Sequence, residues 1–111
     1  MSRIVEPFGR LDTLGSPAPG QIRVRGWAAD PSDPDGPITV HVLVNGRCVG
    51  STTAHKYRPE VARANPGFGQ HLGYDTTLAV ADTGQVEVCT YAVTTGRASA
   101  LLGSRTTTVA D

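Results

Sequence analysis

From Ile38 to Val44 the side chains alternate with period two, placing Ile38, Val40, Val42 and Val44 on one face and Thr39, His41 and Leu43 on the other, and the run ends at Asn45-Gly46. Successive strand residues point to opposite faces, so this spacing describes a strand with one buried face and rules out an amphipathic helix. Both Asn and Gly tolerate positive φ, which makes the dipeptide a two-residue hairpin turn. Ile38–Val44 is therefore expected to pair with Arg47–Ala54.

The same alternation recurs along the chain. Ile22, Val24 and Ala28 share a face with Arg23 and Arg25 opposite, and Gly26 beside Trp27 suggests a bulge. Gly73–Val80 and Gln85–Val93 read as further strands separated by Asp82-Thr83-Gly84. The second is apolar on both faces from Val88 onward and belongs in a sheet centre. A last strand runs from about Ala100 to Val109. Arg58–Ala64, stopped by Asn65-Pro66-Gly67, is a one- or two-turn crossover helix. Phe8 and Leu11 mark residues 1–20 as an N-terminal arm or edge strand, with residues 21–111 as the domain proper. About seven strands at turn spacing, in a chain of 111 residues with 13 Gly and 8 Pro, give one all-β unit, a β-sandwich with one short crossover helix.

Charge narrows the partners. Ten basic residues balance ten acidic ones, so no global field draws in nucleic acid or an anionic membrane. No apolar run is long enough for a membrane span, and no membrane insertion is expected. The start Met1-Ser2-Arg3-Ile4-Val5-Glu6 carries no apolar leader, which fits an intracellular or phage-type product as well as a domain cut from a larger secreted protein.

Catalytic patterns are missing from the sequence. The serines lack a nucleophile elbow, Glu60 and Glu87 specify no acid–base pair, and neither cysteine has a base beside it. His41, His55 and His71 lack metal-ligand spacing, and Asp30, Asp33 and Asp35 sit among prolines as turn residues and not in a calcium-loop order. No enzyme, cofactor or metal is expected. Cys48 and Cys89 are a candidate disulfide closing a loop of 41 positions, worth about 3–4 kcal/mol if formed, or else two small buried thiols. Trp27 and Tyr91 lie within strands and are expected in the core. Tyr57 and Phe68 flank the crossover and, with Arg58 and His71, make the candidate contact surface.

The order of motifs adds a resemblance. Ile22-Arg23-Val24-Arg25-Gly26-Trp27-Ala28-Ala29-Asp30-Pro31, Val40–Gly46, Arg58-Pro59-Glu60-Val61, Asn65-Pro66-Gly67-Phe68-Gly69, His71-Leu72-Gly73-Tyr74, Val88–Val93 and Leu101–Thr106 together resemble a small immunoglobulin-like module of secreted actinobacterial proteins. That module is commonly appended to peptidoglycan hydrolases such as amidases and lysozyme-like enzymes. The likeness covers about Phe8 to Val109. It implies a non-catalytic attachment, spacing or assembly role outside the cell or at its surface, with a cell-wall glycan or surface protein as partner. Relatives often carry a second cysteine in a Leu-Gly-Cys-Arg segment; this chain has Ser104 there, so that bridge cannot form. The alternative expectation is an actinobacteriophage virion protein, decorating a capsid or tail through edge strands and the arm Ser2–Leu14.

Overall fold

The protein is described from a computed structural model covering residues 7–30, 38–67, 69, 71–93 and 99–110. Its elements are β1 (Phe8–Gly15), β2 (Gln21–Ala29), β3 (Ile38–Val44), β4 (Arg47–Ala54), α1 (Pro59–Ala64), β5 (Gly73–Ala79), β6 (Gly84–Val93) and β7 (Ala100–Val109). They form two antiparallel sheets, β1-β2-β5 and β4-β3-β6-β7. This is the all-β sandwich that the alternation predicts, and β6 is central as expected.

The core is the sum of the inward positions. Ile22, Val24 and Ala28 of β2 face Val40, Val42 and Val44 of β3 and Val86, Val88 and Ala92 of β6, all buried in one cluster. Each valine or isoleucine so removed from water contributes about 1.5–3 kcal/mol, which makes this interface the main source of stability. Asn45 and Gly46 close the β3–β4 hairpin at φ 50° and 83°. Asn45 also holds the hairpin tip to the next connection. Its Nδ2 donates to Asp82 and its Oδ1 accepts from the Glu87 amide, at 2.9 and 3.0 Å. Arg47 pairs with the same aspartate.

Tyr74 of β5 is the largest fully buried side chain. Its hydroxyl donates to the Arg10 carbonyl at 2.9 Å and lies 3.0 Å from Thr90 Oγ1, linking β1, β5 and β6. It reaches them because position 26 is glycine: a Cβ there would stand 2.6 Å from the hydroxyl. Burial pushes the phenol up to about 12, with the Thr90 hydrogen bond opposing it and the Asp12 charge adding to it.

Two expectations need correction. Trp27 and Tyr91 are half-buried on the outer faces of their sheets and are not in the sandwich core. Their neighbours explain it: Gly26 and Ala28, and Thr90 and Ala92, are the buried partners, so period two turns the rings outward. The bulge expected at Gly26 lies across the ladder in β1. Leu11 pairs with Gly26 and Thr13 with Arg25, leaving Asp12 as the extra residue.

Candidate functional site

That extra residue begins the site. The bulge projects Asp12 from the outer face of the three-stranded sheet, on the side where Val61 of α1 packs near Ala29 and Trp27 of β2. The helix has six residues, with Pro59 in its first turn, where a missing amide hydrogen costs nothing. Asn65 ends it, its Nδ2 donating to the Val61 carbonyl at 3.0 Å. Val61 is the buried residue of α1, and with Ala29 and Leu72 it forms a small second core against Trp27. Phe8 meets the indole edge-on, at a centroid distance of 5.6 Å and 89° between planes.

Arg58 anchors this layer. Its Nη2 donates to Asp12 Oδ2 at 3.2 Å, its Nη1 to the Gly26 carbonyl at 3.3 Å and its Nε to Glu60 Oε1 at 3.1 Å. The side chain is only 17% exposed. Its stem passes close to Gly73, where a Cβ would sit 2.6 Å from Arg58 Cγ. The guanidinium holds the Glu60 carboxyl below the usual range, through the hydrogen bond first. Between α1 and the sheet remains an open groove of about 360 Å³, lined by Arg10, Asp12, Trp27, Arg58, Glu60 and Asn65 among others.

The contact surface expected from sequence is only partly assembled. Lys56 and Gly73 exchange both backbone hydrogen bonds, at 2.8 and 2.9 Å, bringing the loops before α1 and before β5 together. Tyr57 and His71 consequently meet, with ring centroids 5.5 Å apart and planes tilted by 50°. Tyr57 is 60% exposed and His71 is also exposed. Arg58, by contrast, turns away into the groove wall. Phe68 lies outside the described residues, as do Asp33 and Asp35 of the proline-rich stretch. Sequence reasoning missed Arg10, Asp12 and Asn65. The alternation on β2 did carry one signal, since Trp27 shares its face with Arg23 and Arg25 and not with Val24.

The four-stranded sheet has a second outer feature. His41, Leu43, Tyr91, Val93 and Ser99 line a shallow depression of about 270 Å³, beside Leu101, which is 54% exposed. Cys48 and Cys89 stand on the same face and are free, which corrects the candidate disulfide. Both pair with Leu43 from opposite sides, so β3 separates them. Two strand spacings are about 10 Å, beyond the roughly 7 Å between Cα atoms that a disulfide spans. Cys89 instead lies opposite Ser104 and donates to its Oγ at 3.4 Å.

Among the described residues no three His, Cys, Asp or Glu side chains gather as a metal set. The ionisable groups with displaced titration have structural partners. Asp75 is lowered first by its hydrogen bond to Arg23, a pair with a 2.7 Å N–O distance. His55 Nδ1 contacts the Thr53 carbonyl within its own turn. What the arrangement offers is surface for binding: an aromatic ring edged by polar groups, an exposed ring pair, and a half-apolar sheet face. Among the described residues no helix is long and apolar enough to cross a membrane.

No family profile matches the chain, and no curated protein matches it significantly. It is similar to a solved structure of fibronectin(III)-like modules of Clostridium thermocellum CbhA, with a TM-score of 0.60 and 22% identity. The likeness covers 98% of this chain and 49% of that one, so the chain spans about half the length of the structure it matches. The fold is thus a small immunoglobulin-like sandwich of the fibronectin(III) kind.

Proposed function

We propose that this protein is a non-catalytic attachment, spacing or assembly module working at an actinobacterial cell wall or surface. The observation that carries the reading is the fold match to modules that fill about half of a longer chain. Two others support it. Arg23, Asp75, Arg58 and Glu60, whose charges would be the raw material of a catalytic pair, are held in ion pairs that brace the sheet and the helix. The motif order from Ile22 to Thr106 resembles modules appended to peptidoglycan hydrolases. A fold of this kind hosts many roles, so the wall assignment rests on its own test. Purified protein incubated with isolated actinobacterial peptidoglycan should sediment with it, above a control sandwich protein of equal charge. Equal recovery from both removes the wall reading, and co-purification with capsid or tail proteins from the native source would replace it with a virion role.

A further inference from the structure

The groove between α1 and the three-stranded sheet has a composition suited to a specific ligand class. Trp27 is the chain's single tryptophan, and it lines the groove half-buried, packed against the cluster of Ala29, Val61 and Leu72 and set perpendicular to the Phe8 ring. Polar groups surround it at three points. Arg10 is exposed directly across the ladder from Trp27, and its guanidinium can offer donors to a ligand there. Arg58 uses Oε1 of Glu60 and Asn65 donates through Nδ2, which leaves Glu60 Oε2 and Asn65 Oδ1 as acceptors. The charges of Arg10, Arg58, Asp12 and Glu60 cancel, which argues against an anion and for a neutral ligand.

An indole beside planar donors and acceptors, in a shallow neutral cleft, matches a pyranose ring. The weakly positive C–H face of the sugar packs on the π system while its hydroxyls take both donors and acceptors. From this geometry we infer that the groove is a saccharide subsite for one or two neutral hexopyranose units. Arg10 and Asn65 orient the hydroxyls and Trp27 supplies the apolar contact. Arg58 is a positioning residue that holds Asp12 and Glu60 in place. The inference goes beyond the attachment role, because a spacer needs no such groove and a sugar site does not require peptidoglycan.

The single tryptophan makes the test direct. Its emission is followed while the whole protein is titrated with a β-1,4 N-acetylglucosamine tetramer and, separately, a β-1,4 glucose tetramer. A saturable shift with at least one of them is expected, with half-saturation on the order of 1 mM or below. Arg10→Ala, an exposed change, should weaken it by about tenfold or more. Arg105→Ala on β7 should leave it unchanged, with both variants melting like the parent. Three results overturn the inference: no saturable shift with either tetramer, binding indifferent to Arg10→Ala, or tighter binding of a uronic-acid tetramer, which would make the groove an anion site. Failure here with retention on peptidoglycan intact leaves the attachment reading standing, and the converse holds equally.

Discussion

The outer faces of the two sheets present the same kind of material and end differently. On β1-β2-β5, the outward Trp27 is partly covered by Val61 of α1, and Arg58, just before that helix, bonds to Asp12 and the Gly26 carbonyl. On β4-β3-β6-β7, outward Leu43, Tyr91 and Leu101 have no such cover among the described elements, and Leu101 is more than half exposed. Alternation creates both faces. The difference comes from the β4–β5 connection, which crosses from one sheet to the other and is long enough to carry a helix onto β2. An outward ring is thus partly enclosed on one sheet and left bare on the other, and only the connection decides which.

The contrast can be broken by mutation. Trp27→Ala should destabilise the fold by about 3 kcal/mol, because it empties the second core beneath α1, whereas Tyr91→Ala should cost less than about 1 kcal/mol. Urea midpoints at constant slope measure both, and equal losses would erase the distinction between the faces.

Tyr74 tests the tie between the sheets. Its folded titration near 12 lies above the ordinary value of about 10, so between those pH values the folded protein keeps a proton that the unfolded chain has lost. Stability from this group is complete below about pH 10 and falls as pH rises towards 12, by about 2–3 kcal/mol. Tyr74→Phe should abolish that alkaline slope while costing about 1–2 kcal/mol at neutral pH. A slope that survives the substitution would assign the titration elsewhere.

On the bare sheet, Ser104→Cys should form a bridge to Cys89 when oxidised, since the two residues already face each other across β6 and β7. The stabilisation should be about 2 kcal/mol, somewhat under the chain-entropy value for a 15-residue loop. Intact mass before and after alkylation reads it: the parent should label two thiols without reductant and the variant one. The smallest effect is expected for Leu101→Ser, within about 0.5 kcal/mol, because that side chain stays in water in the folded state. A larger loss would mean that this face is covered in solution.

Much of the fold was legible because period two is a local property. Ile38–Val44 with Asn45-Gly46, the alternation on β2 and the all-round apolar β6 each located a strand, and β6's place at the centre followed from its two apolar faces. The site was less legible. Tyr57 and His71 were found as exposed loop residues, and they meet through the Lys56–Gly73 pairing. Arg58 looked like part of that surface, yet it is consumed by the wall of the groove. Nothing local distinguishes a free arginine from one that a bulge 46 residues away supplies with a carboxylate.

The division is physical. Strand positions, the hairpin turn, the short helix and the inward set of side chains follow from steric rules acting over two to four neighbouring residues, and the amino-acid order determined them unaided. Which outward residues became covered, that Cys48 and Cys89 stand apart with β3 between them, and that Asp12, Trp27, Arg58 and Asn65 border one groove were decided by strand order and by the path of the β4–β5 crossover. Those are long-range pairings, chosen when the chain buries the most apolar area at once, and they leave no mark in any short stretch of sequence.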